Sequence, residues 1–153
     1  MASAITVSAT MKAPVDVAFA AFTDWERLGR VMFEALFFEF ESDHREGAGV
    51  RWRMIAGDTQ RPTAAVHEIT EFQSPHRFVM TSDDQSSFET MTLNFKAVDG
   101  GTEVVFEMSL QPKGCLVSML APLMRGAIRG AMGDDLQRMA HDVEEEHMRT
   151  IGL

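Results

Sequence analysis

Ser87-Phe88-Glu89-Thr90-Met91-Thr92-Leu93-Asn94-Phe95-Lys96-Ala97-Val98-Asp99-Gly100-Gly101-Thr102-Glu103-Val104-Val105-Phe106-Glu107-Met108-Ser109-Leu110-Gln111-Pro112-Lys113-Gly114 decides the fold. Met91, Leu93 and Phe95 keep one parity, and so do Val104, Phe106, Met108 and Leu110, so 87-98 and 102-111 read as strands with one face covered and one in water. Asp99-Gly100-Gly101 between them has tight-turn chemistry. After Pro112-Lys113-Gly114 the apolar period becomes helical and stays so to about residue 149. Leu116, Leu120, Leu123, Met124, Ala127, Ile128 and Ala131 form one stripe, which is expected to lid the sheet.

Upstream, the extended pattern recurs at 35-43, 49-57, 62-73 and 76-83. These runs are separated by Glu46-Gly47-Ala48-Gly49, Gly57-Asp58, Ser74-Pro75 and Asp83-Asp84. Phe38 and Phe40 share a parity, as do Trp52 and Met54. A further strand over 4-12 turns Ile5, Val7, Ala9 and Met11 to one side. Pro14 then starts a short helix to about 23, with Val15, Ala18, Phe19 and Phe22 at helical spacing. Asp24 caps a second helix through Trp25, Leu28 and Val31 to Met32. The element order is βααββββββα, an α+β chain read as one domain over residues 1-153.

Composition narrows the function. The chain has 153 residues, 45% hydrophobic and 24% charged, the size of one domain with its own core. Fourteen basic residues against 23 acidic ones give a net charge of -9, which repels a phosphate backbone and speaks against nucleic-acid binding. No apolar run is long enough for stable membrane insertion, and the N-terminus shows no secretory signal, so the expected location is cytoplasmic. Cys115 stands alone, which excludes a disulfide framework and a cysteine-based metal cluster. No metal ligand set and no cofactor motif emerges. Eleven Phe and 12 Met with no Tyr make an interior suited either to close packing or to a greasy ligand.

This order resembles that of the START-like superfamily of polyketide cyclases, dehydrases and lipid-transport proteins (SRPBCC). Four stretches carry the resemblance: the opening Ile5-Thr6-Val7-Ser8-Ala9-Thr10-Met11-Lys12-Ala13-Pro14-Val15-Asp16-Val17-Ala18-Phe19; Gly49-Val50-Arg51-Trp52-Arg53-Met54; Glu71-Phe72-Gln73-Ser74-Pro75-His76-Arg77-Phe78; and Leu110-Gln111-Pro112-Lys113-Gly114. It covers nearly the whole chain. It implies a helix-grip fold, a curved seven-stranded antiparallel sheet around a long C-terminal helix, with a cavity between the two. Parity then nominates the lining: Phe38, Phe40, Trp52, Met54, Met91, Leu93, Phe106 and Met108 from strands, and Leu120, Leu123 and Met124 from the helix.

Two polar residues interrupt the apolar faces. Glu89 shares parity with Met91, Leu93 and Phe95, so its carboxylate points into the cavity or its mouth, where burial raises a pKa; otherwise it sits in water or pairs with an arginine such as Arg53. His67 shares parity with Ala65 and Ile69, whereas Val66, Thr70 and Phe72 support the opposite facing, and the sequence leaves this undecided. His141 and Glu145 are one helical turn apart but lack the two-histidine metalloprotease pattern, and Gly126, Gly130 and Gly133 are strung along a helix rather than grouped as a phosphate loop.

The last helix carries one irregularity. At about 100° per residue, Leu136, Met139, Ala140 and Val143 point more than a quarter-turn away from the 116-131 stripe. The change falls near Gly133, where Asp134 and Gln137 resemble a capping box, and Pro122 offers a second bend. Either the helix is continuous and its stripe follows the sheet, or the 134-149 segment serves as a gate or packs on a partner, which leaves a homodimer open.

Three functions are compatible with these residues. The first is binding or transport of a small hydrophobic ligand, a lipid, isoprenoid, quinone or aromatic polyketide, with no catalytic group required. The second is a polyketide cyclase/dehydrase-like enzyme using Glu89 or His67 as acid or base. The third is a protein-interaction or chaperone-cofactor module.

Overall fold

The computed structural model describes residues 4–56 and 65–152. Its elements are β1 (Ile5–Met11), α1 (Val15–Phe22), α2 (Trp25–Phe33), β2 (Ala35–Phe40), β3 (Arg51–Ala56), β4 (Ala65–Gln73), β5 (Arg77–Asp83), β6 (Ser87–Val98), β7 (Gly101–Pro112) and α3 (Cys115–Thr150). This is the order expected from the sequence, with strand ends moved by one to three residues. The Gly57-Asp58 separator and the expected strand start at 62-64 lie outside the described residues. One seven-stranded sheet runs β1-β7-β6-β5-β4-β3-β2, every neighbouring pair antiparallel. With α3 across it, the architecture is the α+β helix grip.

The register stacks the inner face into rows. Ile5, Met108, Met91, Met80 and Ile69 lie opposite one another across five strands, and Val7, Phe106, Leu93, Phe78 and Phe72 form the next row. Most of these side chains are buried. Onto them α1 lowers Ala18, Phe19 and Phe22, and the Phe19 ring meets Phe72, Phe78 and Phe95 edge-on at 5.3 to 6.1 Å. Such T-shaped contacts suit the aromatic quadrupole. Asp24 caps α2 as expected, accepting from the Arg27 amide at 3.2 Å. α2 also contains a buried glycine: a Cβ on Gly29 would stand 2.4 Å from the Phe38 ring and 2.9 Å from the Met54 sulfur, so only glycine lets β2 and β3 approach this closely.

α3 is unbroken from Cys115 to Thr150, through both Pro122 and Gly133. Arg125 donates to the Ala4 carbonyl at 2.8 Å, and Glu144 accepts from the Lys12 amide at 2.7 Å. Nineteen helical residues rise about 28 Å and eight strand residues about 26 Å, so α3 lies alongside β1 and points the same way. Its buried residues are Met132, Leu136, Met139, Ala140 and Val143, with Leu136 and Met139 fully enclosed on their own sheet. That removes the gate role for the 134-149 segment and a partner as what its apolar residues pack on. Arg27 further ties α2 to this half through Asp142 at 2.8 Å and Glu146 at 2.5 Å.

The 116-131 stripe is the correction. Leu116, Leu120, Leu123 and Met124 are 70, 44, 81 and 53% exposed rather than laid on the sheet. Ala127 and Ala131 are exposed with them. The half-buried line along this part of the helix is Val117, Ala121, Arg125 and Ile128, which continues into Met132, Leu136, Met139 and Val143 at spacings of three and four. The helix therefore keeps one face inward throughout while its large apolar residues change sides near Gly133. An apolar stripe shows which face avoids water, and the sheet need not be what covers it.

Candidate functional site

One row of the inner face is chemically unlike the others. Phe40, Trp52, His67, Ser82, Glu89 and Leu110 lie opposite one another in register from β2 to β7. Its centre is polar and enclosed, with Trp52 2%, His67 4% and Ser82 7% exposed. Side chains directly opposite on adjacent antiparallel strands stand about 5 Å apart at Cβ, so His67, Ser82 and Glu89 form a short polar line within an apolar face.

The facing of His67 is decided by a bulge. Between Ile69 and Glu71 the register of β4 against β5 shifts, so His67 and Ile69 point inward, one residue is absorbed, and Phe72 points inward again opposite Phe78. The parity of Ala65 and Ile69 therefore holds for His67, and of the residues that favoured the opposite facing only Phe72, beyond the bulge, points inward. The imidazole lies against Trp52 with ring centroids 5.5 Å apart and planes at 17°, and Trp25 also stacks on Trp52, at 5.4 Å and 19°. Phe33 approaches His67 at 6.3 Å. Trp52 is thus the ring shared by two stacked pairs.

The hydrogen-bonding of these rings is uneven. Trp25 Nε1 donates to the Arg45 carbonyl at 2.8 Å. Trp52 Nε1 and both ring nitrogens of His67 are buried without a hydrogen-bond partner among the described residues. Burial pushes the His67 imidazole down from 6.5 to about 4, against the opposing pull of the Asp84 charge, so at neutral pH the ring is uncharged. It then offers one donor and one acceptor, and the indole one donor.

Glu89 sits at the next polar position but one. Burial raises its carboxyl above the ordinary carboxylate range, and the Asp84 charge adds to the effect, while a hydrogen bond from the Ser87 hydroxyl at 3.4 Å opposes it. Arg53, the partner considered from sequence, instead binds Glu41 at 2.6 Å. Asp84 organises the β5–β6 turn, accepting from the Ser86 amide and hydroxyl and from the Ser87 amide at 2.7 to 2.8 Å.

The structure brings together most of the nominated residues. Trp52, Met54, His67, Met91, Leu93, Phe106 and Met108 are buried on the inner face, Phe38 and Phe40 are half-buried at its β2 edge, and Glu89 is half-buried. Leu120, Leu123 and Met124 do not join them: they point outward from α3. Sequence reasoning missed Ser82, whose shared parity with Phe78 and Met80 was visible, and Trp25, which follows its capping Asp24. Among the described residues, surface grooves of about 330, 400 and 450 Å³ lie around α1 and its neighbouring turns, the first of them against the C-terminal end of α3; these are not lined by residues of the His67 row.

The family described as "Polyketide cyclase / dehydrase and lipid transport" matches residues 3–144. The chain belongs to this family. Solved structures agree with the polyketide cyclase/dehydrase and lipid transport fold. A Staphylococcus aureus protein of unknown function superposes with a TM-score of 0.75 at 13% identity, covering 97% of each chain. A Thermus thermophilus protein superposes with a TM-score of 0.70 at 19% identity, covering 97% of this chain and 99% of that one. At such identities the likeness concerns the fold. No curated protein matches the sequence significantly. Family and fold together mark a hydrophobic-ligand-binding scaffold, and among the described residues no helix is long and apolar enough to cross a membrane.

Proposed function

We propose that this member of the family carries a small, uncharged hydrophobic ligand whose single polar end docks on Trp52 Nε1 and the His67 imidazole. The observation that supports it is the trio of buried, unpartnered polar atoms on two stacked rings. Leaving such atoms unsatisfied costs about 1–3 kcal/mol each, so their retention is explained if a bound molecule completes them. Two donors and one acceptor suit a hydroxyl beside a carbonyl on a flat ring, as in an aromatic polyketide or a quinone-like molecule. A carboxylate-headed lipid fits less well, because Glu89 and Asp84 flank the row and His67 is neutral. Phe78, Met80, Met91 and Leu93 are 0–2% exposed, so the ligand's apolar body would enter by displacing side chains packed over those rows.

Native mass spectrometry of protein purified from its host tests the carrier reading directly: a stoichiometric neutral aromatic adduct is expected. As a defined probe, 2-naphthol should quench tryptophan fluorescence at concentrations at least tenfold lower than naphthalene. Equal affinity for the two would remove the polar docking point.

A second reading rests on the His67–Ser82–Glu89 line. A carboxyl whose pKa burial raises, near a neutral imidazole, is a pair suited to moving protons on a bound polyketide-like substrate. Its discriminator is turnover lost in Glu89→Gln with 2-naphthol binding retained.

A further inference from the structure

We infer that the outward face of α3 between Leu116 and Ala131 seats a second copy of this chain, the two helices antiparallel about a two-fold axis near Leu123. This stands independently of what the inner face of the sheet binds.

The first support is area. Leu116, Met119, Leu120, Leu123 and Met124 are 70, 74, 44, 81 and 53% exposed. Together they present on the order of 600 Å² of apolar surface, close to the ~800 Å² that each partner contributes to a standard interface. Gly126, Ala127, Gly130 and Ala131, exposed on the same side, extend it. A monomer rarely leaves one contiguous apolar patch of this size in water.

The second support is self-complementarity. The large residues occupy the first half of the face and the small ones the second. An antiparallel crossing centred between Leu123 and Met124 sets Leu116 opposite the partner's Ala131 and Leu120 opposite the partner's Ala127, with Leu123 against the partner's Met124. Large side chains of each copy enter the space over the small residues of the other, and the two-fold repeats every contact. A Cβ at Gly126 or Gly130 would meet nothing within 4 Å, so that space is open.

The third support is charge. The chain carries a net charge of -9, yet no acidic residue lies between Lys113 and Asp134. The face is where two acidic molecules approach without repulsion. At its ends, the same pairing places exposed Asp134 over the start of the partner's α3. That start has Gly114 as N-cap and no side-chain cap. A carboxylate there satisfies free amides and the helix dipole.

The test uses the full chain and its single cysteine, which is exposed. Sedimentation equilibrium at 1–100 µM should give twice the 17.1 kDa chain mass, and Leu123→Glu should weaken the dimer at least 100-fold with an unchanged circular dichroism spectrum. Asp134→Lys should weaken it about tenfold. A spin label on Cys115 should report a pair distance of about 25–30 Å in the antiparallel dimer, against about 10 Å for a parallel one. A monomer at 100 µM, a dimer indifferent to Leu123→Glu, or the short distance would each overturn the proposal. So would a monomer that cosediments with phosphatidylglycerol vesicles through this face, which would assign it to a lipid surface.

Discussion

The Trp52 indole lies flat on the His67 imidazole, centroids 5.5 Å apart and planes at 17°, and among the described residues neither ring has a partner for its nitrogens. Stacking holds the two rings together without using their nitrogens. His67→Phe therefore keeps the stack and removes two unsatisfied atoms. We expect ligand-free His67→Phe to melt about 2–8 °C higher at pH 7 by calorimetry, since relieving about 1–2 kcal/mol shifts a domain of this size by about that much. The same variant should bind 2-naphthol at least tenfold more weakly. A lower melting temperature would mean that the nitrogens are already satisfied.

Burial also makes His67 an acid-sensitive element. Its folded value of about 4 lies below the ordinary 6.5, so between these the unfolded chain binds more protons than the folded one. The contribution is fully present above pH 6.5 and is lost as pH falls through about 4, on the order of 3 kcal/mol in all. Urea denaturation from pH 7.5 to 4 should show wild-type stability falling over that window and His67→Phe losing most of the slope. Parallel curves would sink the assignment.

Glu89 has the opposite sign. With its carboxyl raised by burial and by Asp84, its favourable contribution is present below the unfolded carboxylate value and is lost as pH rises through the folded one. Glu89→Gln keeps an acceptor for the Ser87 hydroxyl and removes the buried charge. It should therefore be more stable than wild type at pH 8, with the advantage shrinking toward pH 4.5. Stability matched at pH 8 would place the carboxylate in water.

These residues also show what the sequence carried. Period-two patterning located all seven strands and put Trp52, Met54, Met91, Leu93, Phe106 and Met108 on one face, because burial on one side of a pleated sheet leaves that pattern directly. His67 stayed undecided for a local reason: the β4 bulge at Ile69–Glu71 reverses the parity within a single strand, and no turn residue announces it. Leu120, Leu123 and Met124 were misplaced for another. Periodicity gives the direction of an apolar stripe around its own helix but not the rotation of that helix against the sheet. That rotation is set by long-range contacts such as Arg125 to Ala4 and Lys12 to Glu144.

Gly29 offers a test of how tightly the β2 edge of the sheet's inner face is built. In an ordinary helix interior, glycine to alanine stabilises by about 1 kcal/mol. Here the added methyl would meet Phe38 Cε1 at 2.4 Å, Phe38 Cζ at 2.6 Å and the Met54 sulfur at 2.9 Å, so the Phe38 ring must swing away from Met54, its cross-strand neighbour. Overpacking of this kind costs about 1–3 kcal/mol. Gly29→Ala should therefore lower stability by up to about 2 kcal/mol despite its propensity gain, and weaken 2-naphthol binding by disturbing the rings beside Trp52. Shortening the obstructing side chain should reverse the effect. In a Phe38→Leu background, Gly29→Ala is expected to become neutral or stabilising, a coupling of about 1–3 kcal/mol in a double-mutant cycle. Additive effects would show that the α2 to β2 contact has room to relax and does not set the shape of the site.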